Sequence, residues 1–154
     1  MRPAAPHRAL WQGPWGTLLL IGNARVLVAA RFQGGCPAGD TASPPDPLPA
    51  PWGLHPTLRL ALTGTDFQLA VWRSLTRIAS GECVSYSELA AAVDRPRAVR
   101  AVASAVAANP LPVVLPCHRV IRRDGGHGGY IGGASRKRRL IHWETNHGSH
   151  PRCS

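Results

Sequence analysis

Cys117 and His118 stand side by side in Pro116-Cys117-His118-Arg119-Val120-Ile121, with Arg122 and Arg123 just behind and the apolar run Val113-Val114-Leu115 in front. A thiol attacks as its thiolate, and a neighbouring imidazole and nearby guanidinium groups favour that form. Displacement at a saturated carbon, or acyl transfer, is the chemistry such a pair offers. The same six residues would also suit a packed core cysteine, because free cysteine is among the most buried residue types. The surroundings have to decide between the two.

Several elements are positioned to present this pair. Val113-Val114-Leu115 reads as a buried strand that delivers Cys117 at its end. Thr65 and Gln68 form a T-x-x-Q capping box, and Phe67, Val71, Leu75 and Ile78 follow at helical spacing on one face. Ser85 and Glu88 form a second capping box before Leu89-Ala90-Ala91-Ala92-Val93. Asp94-Arg95-Pro96 ends that helix, and Pro96 is placed to open a third, from Arg97 to Ala108. Arg97, Arg100 and Ser104 then share an outward stripe. Two short helices joined by a tight turn, the second carrying arginine, predict a helix-turn-helix whose second helix enters a DNA groove.

Behind Cys117 comes a loop with Gly125, Gly126, Gly128, Gly129, Gly132 and Gly133, in which the backbone must approach something closely. It matches neither glycine-rich phosphate-binding pattern. A last helix opens at Ser135-Arg136-Lys137-Arg138-Arg139 and carries Leu140, Ile141 and Glu144. Upstream, Thr17 to Ile21, a Gly22-Asn23 turn and Arg25 to Phe32 predict a β-hairpin, which needs further packing to be stable. Gly34 to Pro56 is rich in proline and glycine and reads as a linker.

Composition narrows the partners. The net charge is +10, and of the 18 basic residues all but Lys137 are arginine, the side chain suited to gripping phosphates in a fork. Nucleic acid is the first partner to consider. An apolar share of 44% over 154 residues allows a real core. The cysteines Cys36, Cys83, Cys117 and Cys153 show no C-x-x-C spacing, so neither a disulfide framework nor a structural zinc site is expected. Cys83 reads as core, and Cys36 and Cys153 have no supporting base nearby in sequence. No apolar run is long enough to span a bilayer, and a cytoplasmic, reducing, nucleoid-associated setting is expected, with the chain acting as a monomer.

The stretch from Asn109 to Ile121, with Gly129-Tyr130-Ile131-Gly132-Gly133, resembles the active-site signature of the O6-alkylguanine-DNA alkyltransferases, also called methylated-DNA–protein-cysteine methyltransferases. The likeness runs from about Gly64 to Glu144. It includes Gly64-Thr65-Asp66-Phe67-Gln68, Val71-Trp72, Gly81-Glu82, Val84-Ser85-Tyr86 and Arg97-Ala98-Val99-Arg100-Ala101-Val102. The wording after Val99 is similar to the C-terminal domain of the bacterial adaptive-response proteins.

The resemblance implies an α/β chain, mostly α in its C-terminal part. Residues 1–33 would form a truncated N-terminal hairpin region, 34–56 a linker, 57–146 the DNA-binding alkyltransferase domain and 147–154 a disordered tail. It implies double-stranded DNA bearing O6-alkylguanine as substrate, O4-alkylthymine as a further one, and no cofactor or metal. The alkyl group would pass irreversibly to Cys117, with His118 as base through a water, Glu144 orienting the imidazole and Asn109 bracing the turn.

Tyr86 would turn the 3′ phosphate and contact the rotated-out base, and Arg100 would fill the space left in the duplex. Ser85, Arg97 and Ser104 would contact DNA as well. Backbone groups of Cys117, Val120 and Ile131 would read the guanine edge, with Pro112, Tyr130 and Lys137 as further substrate-binding positions. Ile131 replaces a serine found in some relatives. Three readings stay open beside this one: a lesion-binding relative that transfers nothing, a cysteine hydrolase, and a helix-turn-helix regulator.

Overall fold

Alternation of buried and exposed residues shapes residues 7–33. The computed structural model describes residues 7–23, 25–36 and 59–147, and the chain divides between Leu62 and Thr63 into two units. In the first, β1 (His7–Gly13), β2 (Gly16–Gly22) and β3 (Val26–Gln33) form an antiparallel meander. A two-residue β4 (Arg59–Leu60) joins β3 in parallel, giving a sheet in the order β1-β2-β3-β4. Trp11 lies opposite Leu18, and Leu18 opposite Phe32. Leu18, Leu20, Leu27 and Ala30 are buried, and Trp15 packs edge-on against Trp11 at 4.5 Å.

The expected hairpin is thus the inner pair of a larger sheet. β1 is an edge strand whose residues lack the β-branched run that marks a strand in sequence, and only Trp11 and Leu10 hint at it. Residues 37–56 of the expected linker and residues 148–154 of the expected tail lie outside the described residues, while His147, expected to open that tail, ends the last helix.

The second unit is helical. Both capping boxes form as the sequence requires. Thr65 caps α1 (Asp66–Leu75), Ser85 caps α2 (Tyr86–Ala92), and in each case the third helical residue returns a side-chain bond to the cap. Val71, Trp72 and Leu75 of α1 are buried, as are Val102, Ala105 and Val106 of α3 (Val99–Ala107). The Trp72 indole donates to the Ala105 carbonyl at 2.8 Å, so the largest side chain of that layer leaves no polar group orphaned. Ahead of α2 a two-residue β5 (Val84–Ser85) pairs in parallel with β6 (Val120–Ile121). The chain ends in α4 (Ala134–His147).

The third helix starts two residues later than expected. Arg95 donates to the Ala90 carbonyl at 2.9 Å and Asp94 to the Ala91 carbonyl at 3.0 Å, the two bonds of a Schellman ending for α2. Pro96 then sits inside a turn closed by the Ala98 amide on the Arg95 carbonyl at 2.8 Å, because its fixed φ suits a turn's second position as well as a helix start. Arg97 therefore precedes α3 instead of belonging to it.

The Schellman ending requires a left-handed residue, and Asp94 takes it with φ of 57°. Glycine meets that requirement without a β-carbon clash. Asp94→Gly is expected to stabilise the helical unit by about 0.5–1 kcal/mol in denaturant unfolding, while Asp94→Val destabilises it. Equal stabilities for the three proteins would show that the turn carries no strain.

Candidate active site

The approach to Cys117 is a strained turn and not the strand that its apolar residues suggest. The Leu115 amide donates to the Leu111 carbonyl at 2.8 Å, and Val113 has φ of 72°. A β-branched residue is a true outlier there, at a cost of about 1–3 kcal/mol that the surroundings must hold. Buried Asn109 holds it from inside. Its amide donates to the Leu115 carbonyl at 2.9 Å, and its side-chain oxygen accepts from the Leu111 amide at 2.9 Å. Asn109 thus clamps both limbs of the turn that ends at Cys117.

Cys117, His118 and Arg119 form one 3₁₀ turn after Pro116. Consecutive residues of such a turn point in different directions, and each of the three meets a different neighbour. Cys117 lines a cleft and is only 3% exposed. Burial pushes its thiol pKa up, opposed by the Asn109 side chain, the Lys137 charge and the Tyr130 hydroxyl. His118 is fully buried, with Nε2 2.9 Å from Glu144 Oε1. The contact is off the straight N–H line, and Nδ1 has no hydrogen-bond partner. Burial lowers the imidazole pKa, and the nearby Glu144 carboxylate opposes that lowering. A neutral ring beside a protonated thiol is ready to accept a proton.

Glu144 answers to two partners. Arg119 meets it in a fork, Nε to Oε2 at 2.8 Å and a terminal nitrogen to Oε1 at 2.7 Å, and its other terminal nitrogen donates to the Ile78 carbonyl just beyond α1. Burial pushes the carboxyl up, yet the Arg119 and His118 contacts outweigh it and bring the pKa down to about 2. Arg119 was absent from the sequence-derived site. It lies 25 residues from Glu144, and no local spacing signals the pair.

Lys137 is completely buried, and its ammonium donates to the Val120 carbonyl at 2.6 Å, 6.0 Å from the centre of the Tyr86 ring. Burial lowers its pKa to about 8, against the pull of Cys117. It remains mostly charged at neutral pH, and its charge favours the thiolate form of Cys117. Pro112 and Val120 are buried as well.

The cleft measures about 370 Å³, the size of a small-molecule pocket. Ala103, Val106 and Ala107 of α3 form one wall; Tyr86 and the Gly129-Tyr130-Ile131 loop form the rest, with Cys117 opening into it. Burial pushes the Tyr130 hydroxyl well above its ordinary range, and Ile131 is 59% exposed at the mouth. Tyr86, Tyr130, Ile131 and Cys117 are thus brought together. Arg97, Arg100 and Ser104 are exposed, whereas the Ser85 hydroxyl accepts the Glu88 amide of its own cap at 3.1 Å. Cys36 is free; Cys83, expected as a core thiol, is half-buried and disulfide-bonded.

Comparison with known proteins agrees with this geometry. Residues 66–146 match the family model described as 6-O-methylguanine DNA methyltransferase, DNA binding domain. The bifunctional transcriptional activator/DNA repair enzyme Ada of Escherichia coli is 54% identical over 89 residues, which make up 58% of this chain and 25% of that protein. A methylated-DNA–protein-cysteine methyltransferase of Salmonella typhimurium is 49% identical over 88 residues, 57% of this chain and 52% of that one. The matched stretch therefore spans about half, or less, of these curated relatives. The crystal structure of Mycobacterium tuberculosis OGT in complex with DNA is similar with a TM-score of 0.71 and 34% identity, covering 90% of this chain and 92% of that one. With its family-model match running from the first helix to the last and ending just past Glu144, the chain belongs to the 6-O-methylguanine DNA methyltransferase family.

Proposed function

We propose that this chain removes the alkyl group from O6-alkylguanine in double-stranded DNA, and from O4-alkylthymine, by irreversible transfer to Cys117. The observation that carries the reading is a buried thiol at the end of an apolar cleft, backed by the contiguous set His118, Glu144 and Arg119. The names of its relatives support the same reaction. A guanine oxygen inside a duplex cannot reach such a thiol, so the nucleotide must rotate out and enter the cleft. Arg100, exposed on α3, would occupy the gap that remains in the stack.

In the transfer step His118 takes the thiol proton through a water, and the sulfur forms a bond to the alkyl carbon as the carbon–oxygen bond breaks. The electron pair leaves with the base, which then takes a proton from water. Glu144 stabilises the imidazolium that forms, and Arg119 keeps the carboxylate ionised and aimed. The thioether has no leaving group to return it to a thiol, so each chain acts once.

Intact mass after incubation with a duplex carrying O6-methylguanine tests the proposal. The expected result is a gain of one methyl group per chain, mapped to Cys117 and absent in Cys117→Ser. Binding of that duplex without a change in mass would identify a lesion-binding relative instead.

Glu144→Gln is expected to slow single-turnover transfer on the order of ten- to a hundredfold while leaving duplex affinity nearly intact; an unchanged rate would remove Glu144 from the mechanism. The same variant should alter acid stability. Buried His118 binds its proton more weakly folded than unfolded, so stability declines as pH falls below 6.5. The Glu144 carboxyl contributes stability above 4.5 that is lost as pH falls toward about 2. Glu144→Gln should abolish the second decline and keep the first, as read by denaturant unfolding at each pH.

Arg100→Ala should reduce transfer from duplex by about tenfold or more while leaving reaction with the free alkylated base within about twofold. Equal losses on both substrates would refute a role in filling the stack.

A further inference from the structure

Strand register brings beside Tyr86 an arginine that the resemblance does not assign. Val84 lies opposite Val120 and Ser85 opposite Ile121 in the parallel β5–β6 pair. The next residues along the two strands are Tyr86 and Arg122. Both side chains pass beside Gly128, whose φ is 68°: a β-carbon there would lie 3.3 Å from the Tyr86 hydroxyl and 3.7 Å from Arg122 Cγ. Any larger residue at this position would crowd the pair.

Arg122 has a fixed stem and an unspent head. Its amide donates to the Gly126 carbonyl at 2.7 Å, and its carbonyl accepts from the Gly125 amide at 3.0 Å. The nearest acid in sequence, Asp124, accepts the Gly126 amide at 2.9 Å. Among the described residues, the exposed Arg122 guanidinium makes no ion pair or hydrogen bond. Its charge nevertheless reaches the site. The Tyr86 hydroxyl is raised by burial and by Cys117, and Arg122 opposes both; it also adds to the lowering of Lys137.

An exposed arginine is ordinarily a solvated one. This one is uncompensated, is anchored through its backbone, and has its stem near Tyr86, which lines the cleft holding Cys117. We propose that Arg122 and the Tyr86 hydroxyl form a two-point clamp for a backbone phosphate of the nucleotide whose base enters the Cys117 cleft. A guanidinium offers charge-assisted donors in a fixed plane and the hydroxyl one further donor, which together suit phosphate oxygens. Such a contact fixes position without reading sequence, as a lesion-directed protein requires. The inference rests on the alkyltransferase reading for the identity of the base in the cleft.

The test measures binding to a duplex with one O6-methylguanine by fluorescence anisotropy, in a Cys117→Ser background that halts the reaction, across about 50–200 mM salt. Arg122→Ala should weaken binding about tenfold and reduce the slope of log affinity against log salt by about 0.9, with Arg122→Lys restoring most of the slope. Single neutral methylphosphonates are then placed in turn beside the lesion. One position should weaken Arg122-containing protein and leave Arg122→Ala unaffected.

Arg123→Ala serves as the charge control, since exposed Arg123 neighbours Arg122 and its charge is felt by Glu88 on α2, and it should keep the methylphosphonate pattern. An unchanged slope in Arg122→Ala would overturn the clamp, as would a loss shared equally by all methylphosphonate positions. Absence of methyl uptake by the wild-type chain, with the clamp pattern intact, would overturn the transfer reading alone.

Discussion

A single buried carboxylate ties the helical unit to its chemistry. Glu144 comes from α4, yet its oxygens are shared by Arg119 and His118 of the turn that carries Cys117, and Arg119 reaches on to the Ile78 carbonyl beyond α1. Three separate elements therefore converge on one group. Burying these charges is costly, and a buried ion pair is weak evidence of net stability. Its worth lies in direction. An arginine fork fixes the carboxylate plane, and the plane fixes where the imidazole can stand. Arg119 also competes with His118 for Glu144, so the acid stays ionised without drawing a proton permanently onto the ring.

A second constraint runs through the backbone. Val113 sits in a left-handed conformation that its branched side chain resists, and Asn109 holds the turn by bonding both of its limbs. Leu111 and Leu115, both fully buried, anchor the ends in the core. The strain is tolerated because packing and the asparagine over-determine the turn. What the turn achieves is an abrupt change of direction: the chain enters the core at Leu115 and presents Cys117 to the cleft two residues later.

The legible parts of this protein are those encoded locally. Thr65 and Gln68, and Ser85 and Glu88, specify two helix starts through contacts three residues apart, and both form. The Cys117-His118 pair and its glycine-rich sequel marked the cleft, because each depends on residue types that few other roles require together. The illegible parts depend on distance. β4 is two residues long and exists only through its pairing with β3. The fork between Arg119 and Glu144 spans 25 residues. Val113 to Leu115 carries the composition of a strand, and only the asparagine before it and the prolines around it impose a turn. Pro96 was ambiguous for a physical reason, since one fixed φ serves a turn and a helix start alike.

The electrostatics of Cys117 suit the single-use nucleophile proposed above. A turnover enzyme gains from a standing thiolate, but a standing thiolate is also open to oxidation and to stray electrophiles. Here burial raises the thiol pKa, while Asn109, Lys137 and Tyr130 each favour the charged form. Burial dominates, so the resting sulfur is kept quiet. The opposing groups are already in place, and the neutral imidazole of His118 can receive the proton when an alkyl carbon stands before the sulfur. A base filling the cleft would exclude water and strengthen every one of those interactions. Under the proposed transfer, reactivity is conditional on occupancy of an apolar cleft, which would protect a side chain that the product thioether does not give back.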